Sequence, residues 1–218
     1  QMAKEYIAEF IGTFVLVFTV GCNVLSGSPV WAVTSIALSL MVGIYALGSV
    51  SGANFNPAVS LSLALAGKLE FKELGPYMAV QLAAGLCAGL SYGALFGRVF
   101  ELQPAAGFTW WRAALAEIIY TWMLCFVVLN VACSKMHAGK NQFYGLAIGF
   151  VVIAGGYGAG HISGGCFNPA VAFGIDLASL GQGVPLMQSL GWCALYIPCE
   201  FVGATLATIA FNACRPEE

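Results

Sequence analysis

Two segments of this chain repeat one another: "SGANFNPAVSLSLAL" at 51–65 and "SGGCFNPAVAFGIDL" at 163–177. Each sets Asn-Pro-Ala at the head of a short apolar run. Proline has no backbone N–H to give, so it belongs in the first turn of a helix, where that donor is not needed. Pro57 and Pro169 therefore mark helix starts. The runs that follow, about 56–66 and 168–178, are too short to cross a bilayer, which takes ~20 mostly apolar residues. They read as half-helices that begin inside the membrane.

The rest of the chain supplies that membrane context. Of its 218 residues, 60% are hydrophobic and 8% charged, where a soluble domain carries roughly 25% charged residues. Six stretches are long and apolar enough to span: about 5–26, 30–48, 75–97, 111–133, 142–160 and 188–213. The first has no small-residue cleavage site after it and is expected to remain as a span. Lys4, Lys68, Lys72, Lys135, Lys140 and Arg215 fall in loops on one side; Arg98 and Arg112 fall on the other. The excess of positive charge predicts that both termini face the cytoplasm. A net charge of −2 argues against nucleic acid as a partner. The eight cysteines lie mostly in apolar runs without paired metal spacing, which predicts buried thiols, and neither a metal nor a cofactor is expected.

The repeat extends beyond the two boxes. "AEFIGTFVLVF" (8–18) matches "AEIIYTWMLCF" (116–126), and "VQLAAGLCA" (80–88) matches "CEFVGATLA" (199–207). Each half, 3–100 and 111–214, holds three spans and one half-helix. Three is odd, so the second half enters from the opposite side, which makes an inverted repeat. The fold class follows: an all-α membrane protein of six transmembrane helices and two re-entrant half-helices that meet N-terminus to N-terminus near the midplane. Irregular backbone at that depth survives only in protein or beside a wet cavity. The Gly- and Ser-rich approaches "GSVSGANF" and "GAGHISGGCF" offer carbonyl acceptors, and Asn56 and Asn168 offer N–H donors at the centre. Each half-helix start carries roughly half a positive charge, which opposes cations and hydronium while neutral molecules pass.

With both boxes (Asn56, Pro57, Ala58 and Asn168, Pro169, Ala170), the paired "AE…T" helix starts and the inverted repeat, the chain resembles the aquaporin (major intrinsic protein) family over nearly its whole length. The resemblance implies a homotetramer with one pore per subunit and passive flow of water or small neutral solutes. It also implies a filter of four positions. Counted from the boxes, these are Ile36, Gly156, Gly165 and Val171. Water-selective members usually carry an aromatic, a His, a small residue and an Arg there. Here the aromatic, the His and the Arg are missing, and Tyr157 and His161 are the neighbours placed to fill the gap. Valine after the second box is similar to tonoplast aquaporins, although those keep His at the first position. The Asn-Pro-Ala-Arg-Asp pattern and long loops of the glycerol-facilitator branch are absent. A wide, apolar filter is expected, suited to ammonia, hydrogen peroxide, urea or glycerol as well as water.

Several side chains carry two readings. Glu9 and Glu117 occupy matching positions in the repeat, and either relay protons or accept hydrogen bonds from re-entrant loop amides. The second is preferred, because unsatisfied amides at that depth cost several kcal/mol each. Glu200, whose repeat mate is Gln81, either pairs with backbone or a neighbouring subunit or serves as a pH-sensitive gate. His161 either bonds loop backbone or tunes the outer mouth. Cys166 and Cys87 are inert thiols or mercurial sites. Gly85, Gly89, Gly93 and Gly97 recur every four residues, the pattern of a close-packing helix face.

The leading function is thus a passive channel, with membrane lipid and small neutral solutes as partners. The alternative is a structural or adhesive membrane protein that keeps the fold and conducts poorly. The aromatic "GFTWW" at 107–111 would serve that role, or an interfacial belt. A coupled transporter would want charges at the centre, where only amides and glycines converge. No constellation of catalytic residues is visible, so an enzyme is not expected.

Overall fold

The computed structural model describes residues 2–27, 30–180 and 190–218. Lipid offers no hydrogen-bond partners, so each apolar run closes its backbone bonds within itself as a helix. Among the described residues, six helices are long and apolar enough to cross: α1 (Met2–Ser26), α2 (Ala32–Ser51), α4 (Phe71–Phe96), α5 (Trp110–Val128), α6 (Tyr144–Ser163) and α8 (Cys193–Cys214). A single π turn, Leu129–Cys133, prolongs α5. The half-helices are α3 (Pro57–Leu65) and α7 (Pro169–Leu180). The expected start of the last span, at 188 and 189, lies outside the described residues.

Two expected boundaries shift in the same way. The second and fifth spans were expected to stop at 48 and 160, yet α2 and α6 run on to Ser51 and Ser163. Both end on a glycine in the left-handed region, Gly52 at φ 88° and Gly164 at φ 93°. Their N–H groups return to the Gly48 and Gly160 carbonyls at 3.0 and 2.9 Å, a cap that other residues reach only with strain. Part of each Gly-rich approach is therefore helix, and the re-entrant backbone is shorter than its composition suggests.

Packing follows the repeat. α1 packs on α2 and α4 as α5 packs on α6 and α8. Each half-helix lies against the last span of the opposite half, α7 on α4 and α3 on α8, and α2 meets α6 across the centre. The glycine face of α4 serves this arrangement. A methyl group on Gly85 would lie 2.3 Å from the Ala170 carbonyl oxygen, and one on Gly89 2.4 Å from that of Gly174. Gly93 faces Val99 instead, and Gly97 lies beyond the helix as its cap. Ile7, Val42, Phe150 and Ile209 are exposed on the outside of the bundle, as a surface in contact with acyl chains requires.

Candidate functional site

Asn56 and Asn168 hold the two half-helices head to head. Asn56 Oδ1 accepts the Ala58 N–H at 2.8 Å, and Asn168 Oδ1 accepts the Ala170 N–H at 2.9 Å. Each amide then crosses to the other loop. Asn56 Nδ2 donates to the Phe167 carbonyl at 2.8 Å, and Asn168 Nδ2 to the Phe55 carbonyl at 2.9 Å. A carboxamide has two N–H bonds, so one on each asparagine remains for the cavity that both line.

Beneath this pair, two carboxylates hold the loops. Glu9 accepts the N–H groups of Asn54 and Phe55 at 2.9 and 2.8 Å, the Ser51 hydroxyl at 2.7 Å and the Gln81 amide at 2.9 Å. Glu117 accepts those of Cys166 and Phe167 at 3.0 and 2.7 Å. Both glutamates are wholly buried. Phe55 and Phe167 sit at φ 50° and 52°, a conformation that costs an L-residue roughly 1–2 kcal/mol. Charge-assisted bonds of about 1.5–3 kcal/mol each offset that strain. In the second half Glu200 joins them: its Oε1 accepts the Asn168 N–H at 2.8 Å.

A cavity of about 580 Å³ is lined by residues from both ends of the bundle and by both asparagines. Of the four expected filter residues, Ile36, Gly165 and Val171 line it and Gly156 does not. Gly156 lies where α6 crosses α2; a Cβ there would be 2.5 Å from Val33 Cγ1. Val152, one turn earlier, lines the cavity in its stead. Counting back from the box does not say where α2 closes over α6.

Neither proposed substitute for the missing aromatic and His reaches the cavity. Tyr157 is exposed, and its hydroxyl donates to the Val30 carbonyl at 2.7 Å. His161 belongs to the last turn of α6, not to the loop, and meets the Phe108 ring edge-on at 6.0 Å. Cys87 is exposed on α4 away from the cavity, whereas Cys166 lines it. All three arginines are engaged elsewhere: Arg98 with the Leu25 carbonyl, Arg112 over the Trp111 ring and Arg215 with Asn130. Among the described residues lining the cavity, Lys68 is the one Lys or Arg, beside His137 and Asn141.

Some of the supporting residues were not singled out from the sequence. The Tyr77 and Tyr196 hydroxyls donate to the Ser51 and Ser163 carbonyls at 2.9 and 2.6 Å, fixing the ends of α2 and α6. A signal for them exists: "YMAVQ" (77–81) and "YIPCE" (196–200) place a tyrosine at the same spacing before Gln81 and Glu200.

An inverted pair of half-helices meeting through two asparagines inside six spans defines a multi-pass membrane channel, not an enzyme. The pattern of the major intrinsic protein family matches residues 1–211, and the chain belongs to that family. It is 31% identical to Aquaporin AqpM of Methanothermobacter marburgensis, over 100% of this chain and 99% of that one. It is 32% identical to Probable aquaporin NIP4-2 of Arabidopsis thaliana, over 98% of this chain and 75% of that one. In fold it is similar to the X-ray structure of the aquaglyceroporin from Plasmodium falciparum, with a TM-score of 0.86, 22% identity, and coverage of 99% of this chain and 98% of that chain. The protein is an integral membrane channel of the aquaporin type, for water or small solutes.

Proposed function

We propose that this channel passes water together with small neutral solutes such as ammonia, hydrogen peroxide, urea or glycerol. One observation carries the reading: Val171 stands on the cavity wall while every arginine of the chain is engaged elsewhere. An arginine at that wall would supply five N–H donors and a fixed positive charge. Ile36, Val152, Gly165 and Val171 supply no side-chain donor at all. Solutes crossing there lose water without strong replacement, which favours molecules that are small or weakly hydrated. At the asparagines, one free N–H on each offers a hydroxyl or amine partner a donor, and the two positive helix ends disfavour cations.

Both termini face the cytoplasm in this reading. Lys68 Nζ bonds Glu218 at 3.0 Å, the Lys135 N–H bonds the same carboxylate at 2.7 Å, and Arg215 is tied to Asn130 at 2.6 Å. These bonds draw the basic loops to one end of the bundle, as positive charge on the inner side requires. The assembly is a homotetramer, as the family resemblance implies, and the solute range sides with tonoplast-like members over glycerol facilitators.

Stopped-flow light scattering on proteoliposomes tests the reading, with water, glycerol, urea and ammonia as permeants. The wild-type chain should pass water and at least one larger solute above the lipid background. Val171→Arg should suppress the larger solutes and retain part of the water flow. Unchanged solute flux in that variant would remove Val171 from the constriction. No flux of any permeant in the wild type would leave the structural, non-conducting role.

A further inference from the structure

Comparing the two halves exposes a place where their match fails. In the first half, Gln81 Nε2 donates to Glu9 at 2.9 Å and to the Ser60 hydroxyl at 2.9 Å. An amide thus stands between the buried carboxylate and its surroundings. In the second half the position of Gln81 is held by Glu200, and that of Ser60 by Ala172. Two wholly buried carboxylates, Glu117 and Glu200, therefore approach one another with no amide donor between them. Among the described residues Glu200 Oε2 is buried and meets no nitrogen or oxygen donor; the Cys166 thiol alone stands beside it. The Cys166 sulfur completes the cluster: one ligand atom from each of Glu117, Cys166 and Glu200 lies within 4.8 Å of the others. Three elements far apart in sequence (α5, the second re-entrant loop and α8) bring them together.

We infer that Glu117, Cys166 and Glu200 form a binding site for one divalent cation of the zinc class. A thiolate beside two carboxylates suits a borderline ion, which accepts sulfur and oxygen alike, better than magnesium or calcium. Zinc bonds of ~2.0–2.3 Å put tetrahedral ligands roughly 3.5 Å apart, so side-chain closure of about an ångström makes the site. Three protein ligands leave a fourth position for water. Binding takes the cation into a cluster of two carboxylates and one thiol, and the thiol proton is released as Cys166 becomes a thiolate. Cys166 is the member that reaches the cavity wall, and the arginine that would repel a cation there is replaced by Val171. The ion lies under Cys166, Phe167 and Asn168, whose N–H groups Glu117 and Glu200 already hold. It therefore clamps the loop that presents Asn168.

The test uses the full chain, purified, freed of metal with a chelator and titrated with Zn²⁺ alone by calorimetry. Co²⁺ serves as a second probe, whose thiolate absorption reports sulfur ligation. One Zn²⁺ per chain is expected, with a rise in thermal midpoint that a chelator reverses. Cys166→Ser and Glu200→Gln should each weaken binding at least tenfold and remove or weaken the cobalt–sulfur band, while Cys87→Ser binds as wild type. Glu200→Gln is the variant that should still fold, since it rebuilds the amide found at Gln81. Absence of stoichiometric binding in the wild type overturns the proposal, as does full-strength binding in both variants. A wild type that binds no zinc but is stabilised by Glu200→Gln would place a shared proton between the carboxylates instead, and also overturns it.

Discussion

Gly12 on α1 is a position where a single methyl group should do great damage. A Cβ there would lie 2.1 Å from the ring of Phe55, which is completely buried and also meets Gly43 on its other side. The ring has nowhere to retreat. Phe55 moreover holds φ 50°, gives its N–H to Glu9 and lends its carbonyl to Asn168, so displacing the ring disturbs the crossed asparagine bonds directly. Overpacking costs roughly 1–3 kcal/mol, against a helix-propensity gain of about 1 kcal/mol for Gly→Ala. Weakening one bond to Glu9 adds about 1.5–3 kcal/mol. Gly12→Ala should lose on the order of 2–4 kcal/mol overall. Gly160→Ala is the control, because nothing outside its own helix lies within 4 Å of its added methyl; it should gain up to about 1 kcal/mol. Thermal unfolding by intrinsic fluorescence compares the two, and stopped-flow water flux per folded channel should fall in Gly12→Ala alone. Equal midpoints and equal flux in both variants would refute the claim that the Phe55 ring has no room to move.

Other substitutions separate the supporting parts. Glu9→Gln replaces a four-fold acceptor by a group that also presents N–H donors to two loop amides, and should cost about 2–4 kcal/mol with most water flux lost; unaltered thermal unfolding would contradict the clamp. Gly156→Ala drives a methyl into Val33 and should destabilise by about 1–3 kcal/mol while leaving the ranking of solutes unchanged in stopped-flow assays. Val152→Phe, on the cavity wall, should instead reduce glycerol more than water. The Glu218 carboxyl is raised by partial burial, but the bonds from Lys68 and Lys135 outweigh this and hold it below its ordinary 4.5. Its contribution is present above that ordinary value and lost as pH falls through the lower folded value. The midpoint difference between wild type and Glu218→Gln, measured from pH 7 downward, should vanish over that acidic window.

Much of the fold was legible because the bilayer imposes it. Twenty apolar residues in lipid have one satisfying conformation, and a proline after asparagine marks where a helix begins. The lengths of α2 and α6 were less legible: Gly52 and Gly164 read as loop glycines but act as caps whose left-handed φ is visible only in the folded chain. The central asparagines could be named from the repeat, yet their crossed bonds could not, since nothing local says that Asn56 reaches Phe167. Gly156 shows the limit of counting along a helix. Whether a glycine faces a cavity or a neighbouring valine depends on where two helices cross. The Glu117–Cys166–Glu200 cluster was hidden for a similar reason, as its members belong to three separate elements. Gln81 opposite Glu200 was a break in the repeat that pointed there.

The crossed asparagine bonds also bear on how the chain is made. Asn56 finds its acceptor 111 residues later, so the first half cannot complete its centre from its own sequence. At ~5–20 residues per second of synthesis, Asn56 waits on the order of ten seconds before its partner exists. Through that interval α3 has α4 to cover it but not yet the last span, α8, on which it also packs. Each half is thus the missing ligand of the other, and two separately expressed halves should associate specifically, because neither can satisfy its own central amide.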